Sequence, residues 1–322
     1  MIVAEYFKVP NKILINSVGN TINHKNSQGN YINDFNKFGK ERLNKRNAML
    51  LLLALYGLRP DKNGLVVNVD LEKIADFLHL KKRTVRENLE RLAHRDYIAY
   101  TKSYVDLHLF NVIIKDYSHM WEPASKGGRG YITASRKMLE EMTKLKSTDE
   151  IRLLLRTSYE LSTDNPLGEK TENLPLNEIK QWFKNRQSKN SVRNLFRSLE
   201  QFVDVTSDKY FVTFKQKSPF SNGQYSQDRK HFSSKIREFF EECAVGYDGD
   251  KRLKPTYHTD KKFINDVANI ALSYGIDMVL EACRIFNIQY IKEELTFGVG
   301  NAAALIRTMT ESVHRAFSYT TE

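Results

Sequence analysis

The chain has 322 residues, with 50 Lys and Arg against 39 Asp and Glu, a formal net charge of +11. Its 41% hydrophobic content sets aside a disordered chain, and the length suits two or three domains that each bury a core. The longest apolar run, Ala48–Tyr56, is far shorter than the roughly 18 residues of a membrane-spanning helix. The opening MIVAEYFKVPNK lacks a secretory pattern, and Cys243 and Cys283, forty residues apart, offer neither a disulfide framework nor a Cys-x-x-Cys metal site. A cytoplasmic, reducing setting is expected.

In chain order, Asn16–Phe38 is rich in Asn and Gly and reads as a flexible insertion. Gly39–Leu58 reads as a long helix with an apolar second half, closed by the turn RPDKNG, and Leu65–Val69 reads as a short strand. Asp70 caps a helix in which Leu71, Ile74, Ala75 and Leu78 recur at helical spacing. A further helix over Lys81–Asp96 aligns Val85, Leu89 and Leu92 on one face. Two β-prone runs, Tyr97–Thr101 and Tyr104–Ile114, follow around a two-residue Lys102-Ser103 turn.

After a turn-rich piece at Glu122–Gly130, this order recurs. YFKVPNKIL at Tyr6–Leu14 aligns with YITASRKML at Tyr131–Leu139, and KRTVRENLERL at Lys82–Leu92 aligns with KNSVRNLFRSL at Lys189–Leu199. The offsets of 125 and 107 differ by 18 residues, which the Asn-rich insertion absorbs, so a duplicated module is the economical reading. In the second copy the helices are Thr148–Leu161, Leu176–Lys184 and Ser188–Phe202, followed by strands Val203–Thr206 and Tyr210–Phe214 around Ser207-Asp208-Lys209. Helix, strand, helix, turn, helix, hairpin is the winged-helix order. The expected architecture is mainly α with small β wings (α+β): a winged helix over residues 1–122, a second over 128–217, a linker at 218–230, and an all-helical domain over 231–322 built from helices at Phe232–Cys243, Lys261–Tyr274 and Asp277–Phe286, with Gly275 as a stop.

The charge follows that division. Residues 1–125 carry 19 basic and 13 acidic residues (+6), residues 126–217 carry 18 and 12 (+6), and residues 218–322 carry 13 and 14 (−1). In a helix-turn-helix the last helix turns one face to the core and the other to the major groove. Arg83, Arg86, Glu87, Glu90 and Arg91 face away from the first stripe; Asn190, Arg193, Asn194, Arg197 and Ser198 face away from the second stripe of Val192, Phe196 and Leu199. Arg suits guanine and Asn suits adenine, each through paired hydrogen bonds. Lys180–Arg197 holds six basic residues and no acidic one, whereas Lys81–Arg95 holds six basic and two acidic, so the second copy is the stronger candidate. The expected double-stranded DNA contacts are Lys82, Arg83, Arg86, Arg91 and Lys102 in the first copy, and Lys184, Arg186, Lys189, Asn190, Arg193, Asn194, Arg197 and Lys209 in the second. The alternative for each face is a solvated surface on a protein-interaction module.

YFKVPNKIL, the apolar helix, and DLEKIADFLHLKKRTVRENLERLAHRDYI resemble the N-terminal winged helix of replication initiators from Gram-positive plasmids and phages. The tandem arrangement over residues 1–215 is similar to iteron-binding Rep initiators, from which the Asn-rich insertion departs. The run YGIDMVLEACRIFNIQYIKEELTFGVGNAAALIRTM is similar to the tail of DnaD-like primosome proteins, with Tyr290-Ile291 in the matching place and the family's terminal Trp absent. The resemblance implies a replication initiator that binds origin repeats and meets a replicative helicase, its loader or single-stranded DNA through residues 231–322. An oligomerisation domain, giving a homodimer, is the plainer reading of that region. Lys251, Arg252, Lys254, Lys261 and Lys262, interleaved with Tyr257 and His258, read as a solvated loop rather than a strand-stacking surface.

Enzymatic signatures are missing. KGGRGY at Lys126–Tyr131 lacks the Lys-Ser/Thr of a phosphate loop, no His-apolar-His metal pair occurs, and the GxGxxA match at Gly298–Ala303 follows no strand of a βαβ unit, leaving Asn301 as a helix cap. No catalytic activity, cofactor, metal or membrane partner is expected. A transcriptional repressor or regulator built on the same winged helices, with the last domain for dimerisation or sensing, is the alternative function, and a protein-bridging scaffold is a third.

Overall fold

The computed structural model describes residues 3–11, 24–25, 31–32, 43, 45–104, 106–123, 130–162, 171–183, 188–217, 220, 222–247, 256–292 and 299–320. The molecule is mainly helical with small antiparallel sheets, an α+β architecture. It divides into two compact units, one of residues 7–223 with 1–3 and one of residues 224–322 with 4–6. Both sequence copies therefore belong to one unit, where three domains are expected from the sequence.

Strand β1 spans Tyr6–Pro10, of which Phe7–Pro10 belong to the first unit. Most of the Asn-rich insertion lies outside the described residues, apart from a short antiparallel pair, β2 (His24–Lys25) and β3 (Tyr31–Ile32). Helix α1 spans Arg46–Gly57, with Lys45 extended before it; residues 39–42 and 44 of the expected longer helix lie outside the described residues. Strand β4 (Leu65–Asp70) leads into α2 (Leu71–Phe77), where the Asp70 carboxylate accepts from the Glu72 and Lys73 amides at 2.8 and 3.3 Å, satisfying orphan donors of the first turn. Helix α3 (Lys82–His94) then buries Val85, Leu89 and Leu92 as its period demands. Strands β5 (Ile98–Lys102) and β6 (Leu109–Ile114) complete an antiparallel sheet in the order β4-β6-β5.

The hairpin corrects a sequence expectation. Lys102 ends β5 opposite Phe110, so the second strand starts at Leu109 rather than Tyr104, and the two-residue turn is too short; Val105 lies outside the described residues. Ser103 lies buried against Asn68, and Asp106 organises its own local turn, which together hold a longer loop than two residues provide.

The second copy repeats the plan with β7 (Tyr131–Ser135), α4 (Arg136–Met142), α5 (Thr148–Ser162), β8 (Thr171–Pro175), α6 (Leu176–Gln181), α7 (Lys189–Ser198), β9 (Val203–Ser207) and β10 (Phe211–Gln216). Its sheet order, β8-β10-β9, reproduces that of the first copy. Strand β8 is not expected from the sequence.

The repeated strands β1 and β7 pair with each other. The Asn11 amide donates to the Gly130 carbonyl at 3.0 Å, joining the end of one strand to the start of the other. Lys8 on β1 sits over the rings of Trp121 and Tyr131, 4.2 and 4.3 Å from their centroids. Arg46 of α1 donates to the Thr143 and Leu145 carbonyls of the second copy, and the buried Arg152 of α5 donates to the Leu43 carbonyl of the first at 2.7 Å. Helix α1 packs on α3 of its own copy and on α4 and α5 of the other. That position explains its sequence: Ala48 to Gly57 are buried on every side, so no amphipathic stripe is present to read.

The second unit contains α8 (Asn222–Val245), α9 (Lys261–Tyr274), α10 (Ile276–Ile291) and α11 (Val299–Thr320). Residues 222–230, expected to lie in a linker, form the first turns of α8. Phe240, Tyr257, Phe263 and Phe286 make an aromatic core, and burial pushes the Tyr257 phenol up to about 12. Tyr257 is therefore core, while Lys261 and Lys262 belong to α9 and Lys251, Arg252 and Lys254 lie outside the described residues. Gly275, at φ +89°, breaks α9 from α10 as expected. Asn301 falls within α11 and is not its cap. Among the described residues no helix is long and apolar enough to cross a membrane.

Candidate nucleic-acid interface

In the second copy, Ser188 caps α7 by accepting from the Ser191 amide at 3.1 Å, and Val192, Phe196 and Leu199 anchor the inner face. Phe196 stacks on Phe214 of β10, with ring centroids 5.8 Å apart, which fixes the helix against the sheet. The outward face is thereby set at a defined rotation. On it, Arg193 donates to the Asn190 side-chain oxygen at 3.1 Å and to the Asp208 carbonyl at 2.6 Å. The second bond ties the helix to the turn between β9 and β10.

That turn is a compact Asx structure. The Asp208 carboxylate accepts from the Tyr210 and Phe211 amides, both at 2.7 Å, and those two bonds, with Arg193 nearby, hold its pKa below the ordinary value. Tyr210, 58% exposed, lies between two ammonium groups, Lys189 at 5.3 Å and Lys209 at 5.5 Å from its ring centre. One turn along α7, Arg197 approaches the Asn194 side-chain oxygen at 3.5 Å. Among the described residues Lys189, Arg197 and Lys209 form no salt bridge, while the charge of Arg193 acts on the Asp208 carboxylate. The result is a cationic surface, with an exposed ring at its centre, shared by a helix face and a hairpin turn.

The first copy spends its charges differently. Lys82 pairs with Glu72 of α2 at 2.9 Å, and Arg83 pairs with Glu87 one turn along α3, also at 2.9 Å. Arg91 donates to the Asn88 side-chain oxygen at 2.6 Å, while Asn88, only 4% exposed, donates back to the Thr84 carbonyl. Arg86 is exposed and has no ionic partner among the described residues, and Lys102 is exposed at the end of β5. Internal pairing leaves this face less able to gain from a polyanion than α7.

The structure thus brings Lys189, Asn190, Arg193, Asn194, Arg197 and Lys209 onto one surface and places Lys82, Arg83, Arg86, Arg91 and Lys102 in the other copy. Lys184 and Arg186 lie outside the described residues. Sequence reasoning does not find Tyr210, Asp208 or Asn88; the Asp-Lys-Tyr order of a tight turn is a signal for the first two, whereas Asn88 shares the polarity of its exposed neighbours. Comparison with known protein families and with curated proteins finds no match to this chain.

Proposed function

We propose that the chain is a sequence-specific double-stranded DNA-binding protein in which each copy is a winged helix. The observation that carries this reading is the tie between α7 and the β9–β10 turn: Arg193 joins them, and their cations form one surface around Tyr210. A helix of this width enters the major groove, where Arg193, Arg197, Asn190 and Asn194 have the donors and acceptors to read base edges, while Lys189 and Lys209 meet the flanking phosphates. The joined copies supply two such helices from one chain. By its resemblance, this protein acts as a plasmid or phage replication initiator at origin repeats, and the near-neutral second unit is the part that recruits a replicative helicase or its loader.

The test is binding of the full-length chain to a duplex that it enriches from a random-sequence pool, measured across salt concentration. Replacing both Arg193 and Arg197 with Ala should weaken binding by about 1–3 kcal/mol for each base no longer read, and flatten the salt slope by about one for each phosphate no longer neutralised. Unchanged affinity and slope would sink the assignment. Tandem direct repeats in the enriched sequence, with capture of a helicase loader, support the initiator; one inverted repeat and no such capture supports a transcriptional regulator.

A further inference from the structure

We propose that Glu87 and Glu90 on α3 determine base specificity by accepting from the amino groups of cytosine. The first copy then takes a half-site of G·C pairs alone, while the second takes one that includes adenine. This rests on the DNA-binding reading above. The two helices can be compared position by position, because Lys82–Leu92 aligns with Lys189–Leu199 and both bury the same stripe. Val85, Leu89 and Leu92 point inward in one, as Val192, Phe196 and Leu199 do in the other. Equal burial means equal rotation, so Arg83, Arg86, Glu87 and Glu90 stand where Asn190, Arg193, Asn194 and Arg197 stand in the repeat.

Arg86 and Arg193 match, and both suit guanine. At the other positions the chemistry differs. Two Asn in the second copy suit adenine, whereas the first copy presents Arg and Glu and no Asn or Gln. Lys81–Arg95 holds six basic residues and two acidic ones, and both acidic residues take outward positions. A carboxylate there is repelled by the phosphates on either side unless a base donor meets it. Cytosine offers its amino group in the major groove, while the adenine amino group lies beside the N7 acceptor, which a carboxylate avoids.

A buried side chain keeps these carboxylates available. Arg91 follows Glu87 at i,i+4, the spacing at which the two ordinarily pair. Instead Arg91 donates to the Asn88 side-chain oxygen at 2.6 Å, and the Asn88 side-chain amide donates to the Thr84 carbonyl at 2.7 Å. Asn88 is 4% exposed, and the repeat has Leu195 in its place. Glu90 forms no salt bridge among the described residues, and the Arg83–Glu87 pair is exposed, which makes it weak enough to open onto a base. Asn88 is thus a positioning residue, acting on Glu87 through Arg91.

The experiment enriches duplexes from a random-sequence pool with the full-length chain, then repeats the enrichment with Glu87→Gln/Glu90→Gln and with Asn88→Leu. The parent should select two unlike halves, one of G·C pairs and one containing A. Gln suits adenine, so the double variant should exchange C for A in the first half and leave the second as it is. Anisotropy on duplexes that differ at one such pair should show a preference of about 5–150-fold, reversed between parent and variant. Asn88→Leu frees Arg91 to pair with Glu87 and should weaken the cytosine preference without touching the second half. Two like halves, or one half only, overturn the proposal and leave reading by α7 standing. A Gln variant that binds every duplex more tightly with unchanged preferences shows carboxylates that are merely solvated, and overturns it too. A full cytosine preference in Asn88→Leu overturns the positioning role of Asn88. If the parent enriches no duplex, the DNA-binding reading fails and this one with it.

Discussion

His79 ends α2 at φ 53°, and its amide and that of Leu80 donate to the Asp76 and Ala75 carbonyls at 3.1 and 2.8 Å. Those two bonds close the helix and turn the chain sharply enough for α3 to start at Lys82, so the angle between the two helices depends on one residue's left-handed backbone. A β-branched side chain is poorly tolerated there. Replacing His79 with Val is expected to lower stability by about 1–2 kcal/mol in urea titrations, and Asn should be nearly neutral. Asp208 is the other residue whose local chemistry sets a surface. Its carboxylate pKa is lowered by the Tyr210 and Phe211 amides first and by Arg193 after them. A lowered native pKa means the turn is fully stabilised above the ordinary carboxylate range and loses that contribution as pH falls through the native value. Amide shifts of Tyr210 and Phe211, followed by NMR during acid titration, should therefore share a midpoint below that of an ordinary Asp. A midpoint at or above the ordinary value would contradict the hydrogen-bonded turn.

At the scale of elements, the supports of α7 include a cap and an aromatic pair. Removing the cap with Ser188→Ala is expected to cost about 1 kcal/mol, and removing the pair with Phe196→Ala about 3–5 kcal/mol, both measured by thermal or urea unfolding. The two losses separate local from tertiary support for the helix that carries Arg193 and Arg197. Elements of this sort are legible in sequence because their chemistry is periodic. The stripes Val85-Leu89-Leu92 and Val192-Phe196-Leu199, the Asp70 cap and the stop at Gly275 all follow from spacing alone. Strand β8 does not, since Thr-Glu-Asn-Leu-Pro has neither alternating apolar residues nor β-branched density; its pairing is imposed by β10. The hairpin connection after Lys102 is hidden for a related reason. Its length depends on Ser103 meeting Asn68, 35 residues earlier, which no local pattern encodes. The start of α8 is hidden likewise: the Gln- and Ser-rich composition of residues 222–230 conceals a helix because tertiary context outweighs weak propensity. The candidate surface is legible as basic residues, but its union of helix and turn is not.

For the whole molecule, the chief consequence of the β1–β7 pairing and the Arg46 and Arg152 contacts is that two sequence repeats behave as one unit. Both tryptophans, Trp121 and Trp182, belong to that unit, so their fluorescence reports it alone, whereas far-UV ellipticity reports both units. Urea unfolding of the full chain should give fluorescence and ellipticity curves that do not superimpose. Arg152→Met removes the donor to the Leu43 carbonyl and should destabilise the fluorescence transition by about 1–3 kcal/mol while the remaining phase stays in place. Superimposable curves would show that the units unfold together. The same pairing constrains synthesis, which proceeds from the N-terminus. Strand β1 ends at Pro10, but its partner β7 is not made until residues 131–135 have been added. Throughout that interval β1 lacks its partner strand, and on a crowded messenger the nearest available β7 belongs to the chain ahead. Slow translation between residues 11 and 131 should thus favour strand-exchanged dimers, visible as a second peak on size-exclusion chromatography that disappears after unfolding and dilute refolding.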